Sequence, residues 1–223
     1  MIPYKPPHAA KEIPVIDLTD SYSDDLEKRK KVAWEIHKTC RDTGFFYVKN
    51  HTITQKMMDA HLALAAEFFK LPTEEKRALD SAYEGSTRGY EAMVAQVLDE
   101  GSPPDLKEGF VSSMDADENH RYTKLNVLGT GRNQWPTSFP EFQTKYEAYV
   151  NHALKLGRHL AQILALSLEL PEDYFDECLE EPLYYSRILK YPTHPKDAAL
   201  NKLGAGAHTD WGFLTMLLQD QNG

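Results

Sequence analysis

The chain has 223 residues, of which 41% are hydrophobic and 11% aromatic, and its formal net charge is −9. This length and composition predict a globular protein with one domain and a sizeable core, or with one domain and part of a second. The negative charge argues against nucleic acids and anionic membrane surfaces as partners, because both would repel the chain.

The N-terminal residues and the cysteines indicate in which cellular compartment the protein is expected. The first residues lack the apolar stretch of a signal peptide, and no segment approaches the roughly 18 apolar residues of a transmembrane helix. Cys40 and Cys178 do not form a C-x-x-C motif, and we interpret them as small buried side chains in a reducing compartment. We therefore expect a soluble, cytoplasmic protein that acts as a monomer.

Two short strands with a helix between them are predicted near the N-terminus. Residues 13–18 and 45–48 are rich in aliphatic and aromatic side chains, which favour strands. The segment between them has apolar residues at the helical period, a cap at Ser23 or Asp24 and an end before Gly44.

Helices dominate the middle of the chain. One is predicted after Thr54, and the longest of the chain begins at Pro140. Residues 81–136 lie between them and are less regular, so we interpret them as mostly turns and irregular segments.

A strand is predicted at residues 183–191. Its alternation puts Arg187 and Tyr191 on one face, where they could meet a carboxylate ligand in a pocket. Arg187 could equally form an ordinary ion pair at the edge of a sheet. The residues by themselves leave both interpretations open.

His208 and Asp210 are candidate metal ligands. They are separated by one residue, so in extended backbone their side chains point to the same face. Imidazole and carboxylate with open positions belong to the ligand set of non-haem Fe(II) oxygenases, which a second His completes. Chance alone supplies about 0.6 His-x-Asp matches in such a chain, so the pair gains weight only from its surroundings.

Those surroundings favour a site held by a rigid element. Gly204, Gly206 and Gly212 flank the pair with permissive backbone, and residues 213–218 then predict a buried strand. No residue from 209 to 223 is a histidine, and the turn signal at the last residues has no return strand after it. We therefore expect the chain to be truncated.

Six motifs, in this order and spacing, carry a family resemblance. They are IPVIDL at 13–18, DTGFFYVKNH at 42–51, FFKLPTEEK at 68–76, RGY at 88–90, NQWP at 133–136 and HTDWGFLT at 208–215. Together they resemble the N-terminal part of isopenicillin N synthase-like, 2-oxoglutarate- and Fe(II)-dependent oxygenases. The resemblance extends from Ile13 to Gly223.

The resemblance implies a fold and a reaction. The fold would be of the α+β class, with a helix-rich N-terminal region leading into a double-stranded β-helix, or jelly roll. The protein would use Fe(II), 2-oxoglutarate and O₂, with ascorbate as a possible further cofactor, to oxidise a small organic molecule. Residues 1–125 would form the N-terminal non-haem dioxygenase region, 126–180 a helical connection, and 181–223 the incomplete start of the jelly roll.

The resemblance also implies roles for five residues. His208 and Asp210 match the first two iron ligands, and no catalytic residue beyond the ligands is implied. Tyr191 matches the tyrosine of the Asn-x-Tyr co-substrate motif, which here lacks its asparagine, and Arg187 matches a frequent arginine on the same strand face. Trp211 stands where a side chain can line the substrate pocket, although a packed aromatic is an equal interpretation.

The second His ligand and the Arg-x-Ser pair of the family are expected beyond Gly223. We therefore predict that the 223-residue chain is inactive by itself and that a longer parent is an oxygenase. Two alternatives remain open. One is a non-catalytic remnant or interaction protein, and the other is a family member that uses O₂ without 2-oxoglutarate.

Overall fold

The computed structural model describes residues 12–80, 88–93, 105–127, 130–193, 204–206, 208–210 and 212–221. Their helices and strands confirm the predicted α+β class, and none of the described helices is long and apolar enough to cross a membrane. The helices are α1 (Leu26–Asp42), α2 (Gln55–Lys70), α3 (Thr73–Arg77), α4 (Arg121–Lys124) and α5 (Phe142–Ser167). The strands are β1 (Val15–Asp17), β2 (Tyr47–Lys49), β3 (Gly89–Glu91), β4 (Glu108–Ser113) and β5 (Tyr185–Lys190).

The chain divides into two compact units. The first comprises Met1–Met57 with Asn151–Glu181, and the second Met58–Val150 with Pro182–Gly223. The first unit contains β1, α1 and β2, and the second contains the other three strands and the residues around His208. The three-part division expected from the sequence stays a prediction.

In the first unit, β1 and β2 form a parallel pair joined through α1, since parallel strands need a crossover. The predicted helix cap is wrong. Asp25 caps α1 by accepting the Glu27 N–H, while the Ser23 hydroxyl accepts the N–H of Asp25. The predicted end before Gly44 is confirmed, and that glycine has a φ of 78°, as is common just after a helix.

The interpretation of the cysteines as buried side chains is wrong. Cys40 lies on α1 and Cys178 in a short 3-10 helix, and both are free and exposed. On α1 the buried positions are Val32, Ala33, Ile36 and Thr39. The buried face of α1 therefore continues at Thr39 and not at Cys40.

The second unit is built around β4, the central strand of a three-stranded antiparallel sheet. All residues of β4 are buried. Its Phe110 ring lies 4.9 Å from the ring of Phe68 on α2, and 5.3 and 5.7 Å from those of Phe142 and Tyr146 on α5. The sequence analysis did not predict β3 and β4. The sequence of β4, EGFVSS, has weak strand propensity, and the strand forms because it pairs with segments distant in the chain.

The buried strand predicted at residues 213–218 is wrong. Phe213 is 57% and Leu217 76% exposed, and the segment has no strand pairing within the described residues. An extended apolar segment becomes a stable strand only where a neighbour supplies hydrogen bonds and cover. The described sheets have two and three strands, so the jelly roll stays a prediction.

Candidate metal centre

The structure brings the two predicted metal ligands together. Nε2 of His208 lies 3.2 Å from Oδ1 of Asp210, and the two side chains are 39% and 51% exposed. Both therefore reach solvent from which an ion could be taken up. Within the described residues, no group of three or more His, Cys, Asp or Glu could hold a metal ion, so His208 and Asp210 stand there as a candidate pair without a third candidate ligand.

The hydrogen bonding of His208 selects the nitrogen that could bind a metal. Nδ1 lies 2.8 Å from the carbonyl oxygen of Gly206. A carbonyl only accepts, so Nδ1 carries the hydrogen in this bond, and such a contact commonly orients a metal-binding imidazole. Nε2 is the nitrogen that faces Asp210.

The spacing of Nε2 and the Asp210 oxygen fits a shared cation. Two atoms with lone pairs, facing each other at 3.2 Å, repel unless a proton or a metal ion lies in front of both. Two ligand atoms about 2.1 Å from one ion, at about 90° to each other, are about 3.0 Å apart. The donor set of imidazole and carboxylate is also the one that Fe(II) oxygenases use.

The segment before His208 is held by two residues that the sequence did not single out as a pair. Oδ1 of Asp105 accepts the N–H of Gly206 at 3.0 Å. A Cβ at Gly204 would lie 2.9 Å from the Tyr191 ring, so only glycine lets the ring pack there. Asp105 carried no local signal, because its partner lies 101 positions further along the chain.

Tyr191 directly follows β5, and Arg187 lies on it. Burial raises the pKa of the Tyr191 hydroxyl, and Asp105 adds to the effect while Arg187 opposes it, so the phenol is neutral and can donate a hydrogen bond. Arg187 forms an ion pair with Glu91, with Nη2 2.7 Å from Oε1. Their roles toward a co-substrate stay predictions, and Trp211 lies outside the described residues.

The Arg187–Glu91 pair crosses the sheet over a glycine. Glu91 on β3 is in register with Gly109 on β4, and Arg187 lies on β5 at the other side. A Cβ at Gly109 would lie 2.8 Å from Oε2 of Glu91. The missing side chain therefore makes room for the carboxylate.

A second cluster of charged groups is buried at the start of β4, where Glu108 is the first residue of the strand. The Glu108 carboxylate accepts hydrogen bonds from Lys76 and Tyr90 at 2.7 Å and from Lys190 at 2.9 Å. Burial by itself raises the pKa of Glu108, but these three donors outweigh it, so the pKa lies below its ordinary value. The cluster ties α3 to the sheet, and the side chains of Lys76 and Glu108 are both only 7% exposed.

Comparison with known proteins is consistent with this geometry. Residues 13–138 match the family model described as "non-haem dioxygenase in morphine synthesis N-terminal". The chain is 35% identical over 213 residues to the 2-oxoglutarate-Fe(II) type oxidoreductase hxnY of Emericella nidulans, with 93% of this chain and 61% of that protein covered. It is 31% identical over 213 residues to a 2-oxoglutarate-Fe(II) type oxidoreductase of Aspergillus fumigatus, with 94% and 63% covered.

A solved structure shares the fold. A full-length Neurospora crassa protein, solved in complex with alpha-KG, gives a TM-score of 0.76 at 24% identity, with 90% of this chain and 61% of that chain covered. The chain thus spans 61% and 63% of the length of the two curated relatives. The family model covers more than half of the chain, and both relatives exceed 30% identity. The chain therefore belongs to the 2-oxoglutarate- and Fe(II)-dependent oxygenase family and carries its N-terminal non-haem dioxygenase region.

Proposed function

We propose that the natural full-length protein is a 2-oxoglutarate- and Fe(II)-dependent dioxygenase that oxidises a small organic molecule. The observation that carries this proposal is the convergence of His208 Nε2 and Asp210 Oδ1 to 3.2 Å in a member of the family. The name of the Emericella nidulans relative, a 2-oxoglutarate-Fe(II) type oxidoreductase, supports it.

His208 and Asp210 would hold the iron. The Gly206 carbonyl keeps the hydrogen of His208 on Nδ1, which leaves Nε2 as the ligand, and Asp210 supplies an anionic oxygen. When bound, Fe(II) supplies the redox chemistry that couples decarboxylation of 2-oxoglutarate by O₂ to oxidation of the substrate. The carboxylate of Asp210 also offsets part of the positive charge of the ion.

Tyr191 and Arg187 would contact the co-substrate. The neutral Tyr191 hydroxyl can donate to a carboxylate, in line with its raised pKa. Arg187 is already bound to the Glu91 carboxylate, so an incoming carboxylate would have to replace Glu91. We therefore assign the stronger contact to Tyr191. Trp211, next to Asp210 in the chain, would line the substrate pocket.

Residues 181–223 would be the start of the jelly roll, and its strand β5 pairs with β4 of the proposed N-terminal region. The TM-score of 0.76 to the Neurospora crassa structure supports this fold. Residues 1–125 and 126–180 would then form the N-terminal region and the helical connection.

Anaerobic Fe(II) titration and succinate formation from 2-oxoglutarate test the proposal on the full-length protein. His208→Ala and Asp210→Ala should each abolish both, because each removes one ligand. His152→Ala, a change to another histidine on α5, is the matched control and should leave both unchanged. Equal succinate formation by the His208→Ala variant, or no Fe(II) binding by the unaltered protein, would refute the proposal.

A further inference from the structure

Asp105 is a carboxylate in an enclosed position. It is 3% exposed, and it lies just before β4, the central strand of the second unit. A buried carboxylate is costly unless it is paired and hydrogen-bonded. Oδ2 of Asp105 lies 3.0 Å from Nζ of Lys107, whose side chain is 6% exposed. The charge of Asp105 is therefore balanced without any help from the metal site.

The other oxygen of Asp105 is directed at the segment that carries His208. Oδ1 accepts the N–H of Gly206 at 3.0 Å, and the carbonyl of Gly206 accepts the Nδ1 hydrogen of His208 at 2.8 Å. The peptide groups on both sides of the Gly206 Cα are thus fixed by hydrogen bonds. Glycine has the widest backbone freedom of all residues, so this position would otherwise rotate easily.

We propose that Asp105 is a positioning residue for His208. By fixing Gly206, it holds the carbonyl that keeps the hydrogen on Nδ1 and so presents Nε2 toward Asp210. Without the Asp105 contact, Gly206 can turn its carbonyl away, and the imidazole can take the other tautomer or rotate. This inference rests on the proposed function, because it assigns Asp105 a role toward the ion that His208 would bind.

The simpler alternative is that Asp105 and Lys107 only stabilise the fold as a buried ion pair. Three double variants of the full-length protein separate the two roles. Asp105→Leu/Lys107→Met removes the ion pair and the acceptor for Gly206. Asp105→Asn/Lys107→Met removes the ion pair but keeps an oxygen that can accept from Gly206.

The third variant, Lys76→Met/Glu108→Gln, is the matched control. It removes a buried ion pair of similar exposure, 7% for each side chain, that contacts neither Gly206 nor His208. Replacement of a whole buried pair by uncharged side chains is often close to neutral for stability. Should the leucine variant not fold, Asp105→Ala/Lys107→Met provides the same comparison with a smaller side chain.

Two readouts are measured on each folded variant: the dissociation constant for Fe(II) in anaerobic titration, and the His208 tautomer in the metal-free protein by nitrogen NMR. The leucine variant should bind Fe(II) about 10- to 100-fold more weakly, with the asparagine variant and the control within about threefold of the unaltered protein. The His208 hydrogen should stay on Nδ1 in all but the leucine variant.

Four results would overturn the inference. Unchanged Fe(II) affinity in the leucine variant, or an equal loss in the control, would show that Asp105 acts on the fold alone. An unchanged tautomer in the leucine variant would remove the step through Gly206. Failure of the unaltered protein to bind Fe(II) would overturn the proposed function and this inference together. Because that result is obtained before any substitution, it is distinguishable from a failure of the inference alone.

Discussion

Glu108 and Lys76 allow a sharp test of how the second unit is stabilised. In the Glu108→Gln variant, the Lys76 ammonium would stay 7% exposed and would lose its anionic partner, keeping only neutral oxygens, among them the Phe69 carbonyl at 3.2 Å, with the Tyr90 ring 5.3 Å away. Loss of one partner of a buried pair costs about 3–5 kcal/mol, and the glutamine oxygen can still accept one bond, so we expect about 3–4 kcal/mol. Lys190 is half exposed and regains water.

The double variant Lys76→Met/Glu108→Gln should be more stable than the single variant Glu108→Gln. Lys76→Met by itself leaves Glu108 with its bonds from Tyr90 and Lys190, so it should cost about 2–3 kcal/mol, the value of a lost hydrogen bond to a charged group. With both changes no unpaired charge is buried, and the cost should fall to about 1–2 kcal/mol. The two changes are therefore strongly coupled.

Urea unfolding followed by circular dichroism measures this cycle, provided that the slope with urea is the same for all variants. The control is Glu35→Gln/Lys38→Met, which removes an exposed pair of the same chemistry on α1, 2.8 Å between the charged atoms. It should change the free energy of unfolding by no more than about 0.5 kcal/mol. A double variant at Lys76 and Glu108 that loses the sum of the single losses would refute the reasoning.

Three further predictions concern the loop, the pH dependence and the chain itself. Gly204→Ala should weaken Fe(II) binding, because its Cβ would lie 2.9 Å from the Tyr191 ring, and Tyr191→Ser should relieve the loss; titration of the single and double variants checks this. Burial lowers the pKa of His61 to about 4. Since the unfolded chain then binds the proton more readily, stability should fall by about 3 kcal/mol as the pH drops from about 6.5 to about 4. His61→Phe should flatten that fall in unfolding experiments, and an equal slope in both proteins would contradict the assignment. The isolated 223-residue chain should form no succinate from 2-oxoglutarate, because no histidine follows His208; succinate formation that depends on His208 would contradict this.

Local patterns carried the correct predictions. The helices α1 and α5 follow from a period of apolar residues within one segment, and their ends lie close to the expected residues. The closeness of His208 and Asp210 also follows from a local rule, since i and i+2 share a face in extended backbone.

The failures concern contacts between distant segments. The bond from Gly206 to Asp105 joins residues 101 positions apart. The ion pair that the sequence allowed for Arg187 is present, but its partner, Glu91, lies 96 positions away and could not be named from the sequence. The periodicity of apolar residues within one segment carries no information about such contacts. The strand at 213–218 failed for the same reason, because hydrophobic residues alone do not supply the neighbour that a strand needs.

The absence of a side chain at Gly109 on β4 lets the Glu91 carboxylate of β3 occupy the position from which it pairs with Arg187. A methyl group at this position would come 2.8 Å from the Glu91 carboxylate and 3.1 Å from Leu189. The carboxylate, at the far end of a flexible side chain, would move away and release the guanidinium of Arg187, which is otherwise held at 2.7 Å. A single small substitution on a buried strand could thus convert an arginine occupied within the protein into one available to an external carboxylate.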